Sequence, residues 1–217
     1  MNTLLLLFVL FIVLIIFLSL AWRMASTQSS LPCPVWMKWL LDPPSFHKIS
    51  GRTRKTIEYL DIKPGMEILD AGCGPGRLTI PLAERTGPNG TVTALDIQEG
   101  MLAEVRRRAE KESLTNIRYL QGGIGDGKLP KEAYDRIVMI TVIGEIPDRD
   151  RAMQEIYQAL KPGGILLIEE TIRDPHFQRT QTIRTMASEL GLIERGLFGS
   201  RFTYTILFEK PVNCAEI

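Results

Sequence analysis

The stretch ILDAGCGPGRL, residues 68–78, joins a short apolar run to three glycines spaced two residues apart. An apolar run that stops at a glycine-rich segment predicts a buried strand, a tight loop and then a helix. Glycine reaches positive φ angles and lets other atoms approach the backbone closely. In open α/β sheets, ligands bind beyond the carboxyl ends of the strands. We therefore expect this loop to hold the polar middle of a nucleotide-like ligand, with free N–H groups of a helix that opens at Gly76 directed toward it.

Beyond this loop, apolar runs alternate with amphipathic stretches as far as residue 208. Such alternation predicts an α/β fold with a doubly wound, mostly parallel sheet. The Pro-Gly stop in LKPGG predicts the end of a helix, and ILLIEE, residues 165–170, is the predicted fifth strand. The last two predicted strands, 192–197 and 202–208, are joined by a turn too short for a parallel crossover. The predicted sheet therefore has seven strands, with an antiparallel last strand.

The composition excludes several classes of function. The chain has 217 residues, with 26 Lys and Arg against 25 Asp and Glu, and a net charge of +1. This balance does not favour a nucleic-acid partner, which requires a basic patch. The three cysteines have neither CxxC spacing nor a nearby histidine pair, so neither a metal site nor a disulfide scaffold is expected. Cys73, inside the glycine loop, is interpreted as a small packed residue rather than a nucleophile.

The N-terminus carries an apolar run from Leu4 to Leu20 that is broken only by Ser19. With its flanks it covers about 20 residues, or roughly 30 Å of helix, the thickness of a hydrocarbon core. A cleaved signal peptide would need a basic start and a shorter run. We interpret the run as an uncleaved, single-pass membrane anchor. The nearby positive charges all follow it, so the positive-inside rule places the following domain in the cytoplasm.

All three tryptophans, Trp22, Trp36 and Trp39, lie between this run and the main domain. Indole rings favour the membrane–water interface, so one interpretation is a short interfacial helix. The other is that Trp36 and Trp39 pack the first helix onto the domain, and both can hold together. The predicted segments are a transmembrane anchor over 1–23, a linker over 24–35, N-terminal cap helices over 36–62 and a main domain over 63–212.

The spacing of the glycines narrows the choice of ligand. A dinucleotide-binding loop reads GxGxxG and a P-loop reads GxxxxGK(S/T), whereas this loop reads GxGxG. Asp96 ends the predicted second strand, and a carboxylate there can accept hydrogen bonds from both hydroxyls of an adenosine ribose. That acid fits NAD and S-adenosylmethionine equally well.

Taken together, the motifs resemble those of class I S-adenosylmethionine-dependent methyltransferases. ILDAGCGPG resembles their first motif, TALDI the acid motif of the second strand, and LKPGGILLIEE the segment leading into the fifth strand. Residues 134–164 are similar throughout to the small-molecule branch that includes ubiquinone- and menaquinone-biosynthesis methyltransferases. The resemblance covers roughly residues 36–211 and implies a Rossmann-like methyltransferase fold.

The resemblance also implies that the cofactor is S-adenosyl-L-methionine. Asp96 would bind the ribose hydroxyls, Ile97 would pack on the adenine, and Thr141 would lie near the methionine or the sulfonium. The other implied contacts are with the methionine part, through Asp70, Gly72, Cys73, Gly74 and Gly76, and with the adenine edge, through Gly123 and Ile124.

Two positions depart from the family pattern. Many relatives have an acid where Gly123 stands, and Asp126 either substitutes for it or is a solvated loop residue. Many relatives also have a histidine where Gly144 stands, so any role of that histidine in holding substrate would be missing here. The sequence does not identify a catalytic residue; His176 and His47 are candidates.

The implied activity is in-line methyl transfer to a small, lipophilic or membrane-associated acceptor, because the anchor would hold the site near lipid. Such transfer chiefly needs alignment, and it needs a base only if the acceptor must lose a proton. Glu145 and Glu170 are expected near this site, as functional groups or as solvated carboxylates. Two other functions are weighed: a membrane-tethered module that binds the cofactor without transfer, and an NAD-dependent oxidoreductase.

Overall fold

The computed structural model describes residues 5–14, 17 and 51–212 of the chain. In the last of these ranges, seven strands alternate with five α-helices and a 3₁₀ helix, Ile143–Glu145. The helices are α1 (Gly51–Leu60), α2 (Thr79–Thr86), α3 (Glu99–Lys111), α4 (Arg149–Ala159) and α5 (Thr180–Glu189). The strands are β1 (Glu67–Ala71), β2 (Thr91–Asp96), β3 (Ile117–Gln121), β4 (Tyr134–Ile140), β5 (Leu160–Thr171), β6 (Ile193–Ser200) and β7 (Thr203–Glu209).

The seven strands form one sheet in the order β3-β2-β1-β4-β5-β7-β6. The pairs among β1 to β5 are parallel, whereas β7 lies between β5 and β6 and is antiparallel to both. The strand order reverses between β1 and β4, and a crevice at such a switch point is where α/β sheets bind ligands. The prediction of a mostly parallel, seven-stranded sheet with an antiparallel last strand is confirmed.

Apolar side chains fill both faces of the sheet. In β4, Ile137 and Met139 are buried on one face together with Ile156 of α4. Val138, between them, is buried on the other face together with Leu60 of α1. Successive residues of a strand point to opposite faces, so a central strand reads as a continuous apolar run. Each such side chain stabilises the fold by about 1.5–3 kcal/mol relative to an exposed one.

Helix α1 is held to the sheet by a buried acid of β5. Glu169 Oε1 lies 2.5 Å from Arg52 Nε, and Glu169 Oε2 accepts a hydrogen bond of 3.0 Å from Thr56 Oγ1. At the far end of the helix, the carbonyl oxygen of Leu60 accepts a hydrogen bond of 2.6 Å from Arg136 Nε in β4. The helix therefore runs antiparallel to β4 and β5, and its first turn lies at the carboxyl edge of the parallel strands.

Two boundaries differ from the sequence-based prediction. The helix expected from Gly76 begins at Thr79, because Gly76 has φ = +85°, which a right-handed helix does not allow. The fifth strand, expected from residue 165, begins at Leu160. There Leu160 pairs with Tyr134 of β4, so the LKPGG segment follows the end of α4 as part of the sheet.

The predicted segments before the main domain lie largely outside the described residues. Residues 5–14 and 17 are helical and exposed. The rest of the predicted anchor over 1–23, the linker over 24–35 and residues 36–50 of the predicted cap helices fall outside the described ranges. Among the residues that the structure describes, no helix combines the length and the apolarity that a bilayer crossing requires.

Candidate cofactor and acceptor site

The three glycines after β1 have different neighbours. All have positive φ, +77° at Gly72, +52° at Gly74 and +85° at Gly76. A side chain on Gly72 would overlap Val142, which follows β4, and a Cβ on Gly76 would lie 3.1 Å from Val105 of α3. A Cβ on Gly74, in contrast, would meet nothing within 4 Å. The room for a ligand is therefore at Gly74.

The backbone N–H groups of this loop are occupied by the protein itself. Gly72 and Cys73 both donate to the carbonyl oxygen of Leu95 in β2, at 2.8 and 3.0 Å. The Gly74 N–H donates to Asp96 Oδ2 at 2.9 Å. These bonds to β2 fix the loop. The expected free N–H groups belong to the start of the following helix, and their contact with a ligand stays a prediction. The loop thus leaves an open space beside Gly74, and its bonds to β2 fix the shape of that space.

Asp96 connects this opening to the end of β2. Its two carboxylate oxygens each accept one backbone hydrogen bond of 2.9 Å, Oδ2 from Gly74 and Oδ1 from Gln98. A carboxylate has about four acceptor positions, so both oxygens can accept a further bond. Burial raises the pKa of Asp96, and the two N–H groups act against that rise. The carboxylate is thus held rigidly, with acceptor capacity for a pair of hydroxyls.

Asp70 and Cys73 lie behind the loop. Asp70 Oδ2 accepts a hydrogen bond of 2.6 Å from Thr79 Oγ1, which ties the end of β1 to the first residue of α2. Burial raises the pKa of Asp70 to about 6. Cys73 is buried, and burial raises the pKa of its thiol, so the thiolate does not form near neutral pH. The contacts of both residues with a cofactor stay a prediction.

An exposed apolar residue and a short loop outline the predicted adenine side. Ile97, at the tip of β2, is 58% exposed, which leaves a flat apolar surface for a base. In the loop after β3, Asp126 Oδ2 accepts a hydrogen bond of 2.9 Å from the Gly123 N–H. The Asp126 carboxyl atoms lie 3.2–3.6 Å from where a Cβ of residue 123 would be. Asp126 therefore fills the place of a side chain at residue 123, and Ile124 packs against the core beside it.

Thr141 joins the end of β4 to the glycine loop. Its φ of +52° is unusual for a β-branched residue. The Thr141 N–H donates to the carbonyl oxygen of Glu169 at 2.8 Å, and its Oγ1 donates to that of Ile140 at 2.8 Å. The next residue, Val142, then packs on Gly72. This contact fixes the two walls of the crevice at the switch point.

Titratable side chains gather beyond β4 and β5; we call Glu145, Glu170, Asp174 and His176 the carboxyl cluster. His176 Nδ1 lies 3.9 Å from Glu145 Oε1 and 3.7 Å from Asp174 Oδ1. Burial, followed by the charges of Asp174 and Asp96, raises the pKa of Glu145 to about 8. Burial also raises the pKa of Glu170 to about 8. Burial therefore favours the protonated form of both glutamates near neutral pH in the ligand-free protein.

Within the carboxyl cluster, the two glutamates have different surroundings. The Glu145 side chain is 24% exposed and makes no hydrogen bond to a described residue, and its pKa responds to Asp96 on the cofactor side. Glu170 is buried, with Oε2 accepting the Gln178 N–H at 3.1 Å and Oε1 unbonded within the described part of the chain. Of the two glutamates, Glu145 is therefore the one that can meet a substrate, and Glu170 lies beneath the site.

His176 reaches this cluster by folding over Gly144. A Cβ on Gly144 would overlap the carbonyl oxygen of His176. Arg149 holds the two segments together, because its guanidinium donates to the carbonyl of Gly144 at 3.0 Å and to Gln178 Oε1 at 3.3 Å. Gln178 Nε2 in turn donates to the carbonyl oxygen of His176 at 2.6 Å. The loop after β5 thus covers residue 144 and brings an imidazole of its own.

Of the two catalytic candidates from the sequence, His176 lies in the carboxyl cluster and His47 lies outside the described residues. Within the described ranges, no group of three or more His, Cys, Asp or Glu side chains is arranged to hold a metal ion. Sequence reasoning placed Glu145 and Glu170 near the site but missed the role of Arg149. For Glu170, the signal in the sequence was the pair of acids at the end of the apolar run ILLIEE, since a charged group in a buried strand is costly unless it has partners.

Comparison with known proteins shows the family of the chain. Residues 62–195 match a family model described as "Methyltransferase domain". The chain is 30% identical over 118 residues to the demethylmenaquinone methyltransferase of Listeria welshimeri, covering 54% of this chain and 50% of that protein. It is 30% identical over 127 residues to the demethylmenaquinone methyltransferase of Bacillus cytotoxicus, covering 58% and 54%. The chain spans about half the length of the curated relatives it matches.

A solved structure described as a SAM dependent methyltransferase from Aquifex aeolicus superposes with a TM-score of 0.72 at 20% identity, covering 82% of this chain and 98% of that protein. At this identity the similarity shows the fold. The family match itself extends over more than half of the chain. This protein therefore belongs to the methyltransferase-domain family and has the fold of the enzymes that use S-adenosyl-L-methionine.

Proposed function

We propose that this protein transfers a methyl group from S-adenosyl-L-methionine to a small, lipophilic acceptor of the demethylmenaquinone class. The observation that carries the proposal is that the rigid Asp96 carboxylate lies beside the open side of Gly74 at the switch point of the sheet, close enough to Glu145 for the Asp96 charge to raise its pKa. The names of the curated relatives support the acceptor class.

The residues around the opening suit this cofactor. The remaining acceptor positions of Asp96 match two ribose hydroxyls, and the exposed face of Ile97 matches an adenine ring. The space at Gly74 admits the methionine part, and the carboxylate of Asp96 beside it favours a cation. When bound, S-adenosyl-L-methionine supplies a methyl group on a positively charged sulfur, which is already an activated leaving group.

The chain itself contributes alignment and removal of a proton. The Val142–Gly72 contact keeps the two walls of the crevice at a fixed separation, and alignment can lower the barrier by roughly 7–11 kcal/mol at best. An acceptor that bears a hydroxyl becomes a better nucleophile when it ionises. We assign the removal of that proton to Glu145, which is partly exposed and whose pKa of about 8 leaves a fraction of it ionised near neutral pH. His176 and Asp174 would position its carboxylate.

We extend the proposal to where the protein acts, as a single-pass membrane protein anchored by residues 1–23 with the domain on the cytoplasmic side. Residues 5–14 are helical, and every side chain among them is apolar and exposed. A helix that is apolar on all sides has no favourable partner in water, and lipid is the solvent that would cover it. The flanking charges support the orientation.

The experiment uses the full chain in lipid vesicles with methyl-labelled S-adenosyl-L-methionine and reduced demethylmenaquinone. Label is expected in the quinone product, read by mass spectrometry, and a native lipid extract serves as a second acceptor. Asp96→Ala is expected to abolish the transfer, while Asp150→Asn, an exposed acid of α4, is the matched control. Absence of any affinity for S-adenosylhomocysteine would overturn the proposal at its root.

A membrane-tethered module that binds the cofactor without transfer is the second candidate. It is favoured by the way the loop after β5 fills the space above Gly144, which leaves less room on the acceptor side. Binding of S-adenosylhomocysteine together with no labelled product from either acceptor would favour this module over the enzyme.

A further inference from the structure

Two exposed loop tips lie side by side at the carboxyl edge of the sheet. One is Ile172-Arg173, just after β5, and the other is Arg201-Phe202, between β6 and β7. They are linked by a hydrogen bond of 2.7 Å from the Ile172 N–H to the carbonyl oxygen of Phe202. Ile172 and Phe202, whose backbones are joined by this bond, are large apolar residues that are each 47% exposed. We call these four residues the rim patch.

The rim patch combines apolar and cationic groups. Arg173 and Arg201 are both exposed, and the Arg201 guanidinium lies 4.6 Å from the centre of the Phe202 ring. Apolar side chains at a loop tip, with arginines beside them, match the two layers of a bilayer surface, acyl chains below and anionic headgroups above. The combination of exposed apolar and cationic side chains therefore favours an anionic bilayer surface as the partner.

The patch adjoins the proposed acceptor site. The turn that carries Ile172 and Arg173 closes with a hydrogen bond of 2.9 Å from the Asp174 N–H to the carbonyl oxygen of Thr171. Asp174 is itself a member of the carboxyl cluster. The rim patch is thus one turn of chain away from the groups that would meet the acceptor.

The N-terminal part of the chain joins the domain at this same edge. The first turn of α1 is fixed there by the ion pair between Arg52 and Glu169 in β5. Glu169 and Thr171, two residues apart on β5, pair with Thr205 and Thr203 of β7, next to the patch. The described domain therefore begins at the same edge of the sheet that carries the rim patch.

We propose that the rim patch seats the carboxyl edge of the sheet on a bilayer that contains anionic lipid, so that the crevice opens toward the membrane surface. Ile172 and Phe202 enter the headgroup region, and Arg173 and Arg201 lie against lipid phosphates. A lipophilic acceptor then reaches the carboxyl cluster without crossing water. This inference rests on the proposed function for the acceptor, but its test needs no turnover.

The test places a nitrobenzoxadiazole label on the full chain in nanodiscs of phosphatidylcholine and phosphatidylglycerol. Cys33 and Cys214 are replaced by serine, and Cys73 is buried. One label goes on Ser200→Cys, beside the patch, and the other on Asn89→Cys, an exposed residue in the loop before β2 at the opposite edge of the sheet. Nitroxide lipids, with the nitroxide near the headgroup, quench whichever label touches the bilayer.

We expect loss of fluorescence at residue 200 and not at residue 89. The double variant Ile172→Asp with Phe202→Asp should abolish the quenching at residue 200. Binding of S-adenosylhomocysteine checks that this variant folds. If it does not fold, the double variant Arg173→Glu with Arg201→Glu should abolish the quenching instead. Equal quenching at both labels, or quenching that survives both double variants, overturns the inference. If the chain stays on the discs and neither label is quenched, the docking inference is overturned and the proposed function is not. If the patch docks but no quinone is methylated, only the proposed acceptor is overturned.

Discussion

The carbonyl oxygen of His176 lies where a side chain on Gly144 would have to be. The loop after β5 and the 3₁₀ helix after β4 are therefore packed backbone to backbone, with Arg149 donating to both segments. A larger residue at 144 and the observed position of His176 exclude each other. The glycine at 144 is therefore what lets the imidazole of His176 lie in the carboxyl cluster.

Gly144→Ala should displace the loop that carries His176. The expected cost is about 1–3 kcal/mol in the free energy of unfolding, the usual cost of overpacking, because the overlapping atom belongs to the backbone. Denaturant unfolding measures it. Gly51→Ala, where a Cβ meets nothing within 4 Å, is the control and should change stability by less than about 0.5 kcal/mol. Equal stability of the two variants would contradict the packing described for residue 144.

Asp96→Asn should weaken binding of S-adenosylhomocysteine by about tenfold or more. The amide keeps one acceptor oxygen but replaces the other with a donor, so the Gly74 N–H or one ribose hydroxyl loses its partner, at about 1–3 kcal/mol. Calorimetry of the full chain gives the affinity. Asp150→Asn should bind like the wild type, and an unchanged affinity in Asp96→Asn would show that the nucleoside lies elsewhere.

Glu170→Gln should stabilise the ligand-free protein at pH 8 more than at pH 5. The folded protein keeps the Glu170 proton up to a pKa of about 8, whereas the unfolded chain releases it near the ordinary value of 4.5. The unfolded state thus binds fewer protons between these values, so stability falls as pH rises through them, by at most about 1.4 kcal/mol per pH unit. The glutamine has no such loss and can still accept the Gln178 N–H.

Unfolding curves at pH 5 and pH 8 measure this difference. Glu189→Gln, at an exposed position of α5, is the matched control and should shift neither curve relative to the wild type. A difference between Glu170→Gln and the wild type that does not grow with pH would mean that Glu170 is ionised in the folded protein.

Glu145→Gln should lower methyl transfer by about 10²–10⁴-fold for an acceptor that must lose a proton. Because the base form of Glu145 grows as the pH approaches a pKa of about 8, the wild-type rate should rise with pH, with a midpoint at or below that value, and level off above the midpoint. A bound sulfonium, being cationic, can only move the midpoint downward. The variant should lose this rise and keep its affinity for S-adenosylhomocysteine. A variant with the wild-type pH profile would remove Glu145 from the mechanism.

The fold followed from the sequence wherever local pattern decides structure. The apolar runs gave five parallel strands, and the short turn between β6 and β7 required antiparallel pairing. The start of β5 did not follow, because Leu160 is recruited by Tyr134, a residue 26 positions earlier that the local pattern of LKPGG does not contain. Likewise, helix α2 starts later than predicted because Gly76 has a positive φ. A glycine in a sequence does not show which φ it adopts.

The site was predictable in outline only. Asp96 and the glycine loop were recognisable because their spacing is local. The reasons for Gly72 and Gly144 were not, since their neighbours Val142 and His176 come from distant parts of the chain. Reading every loop glycine as room for a ligand therefore overstates the opening, which the structure confines to Gly74.

The backbone conformation of Thr141 lowers the stability of this fold. A threonine at φ = +52° costs on the order of 1–3 kcal/mol relative to a relaxed backbone, and asparagine tolerates that angle better. Thr141→Asn should therefore melt at a higher temperature than the wild type, at a position that borders the crevice. The end of β4 thus keeps a conformation that weakens the domain as a whole, so a search for more thermostable variants of this protein would select changes at a residue beside the proposed cofactor site.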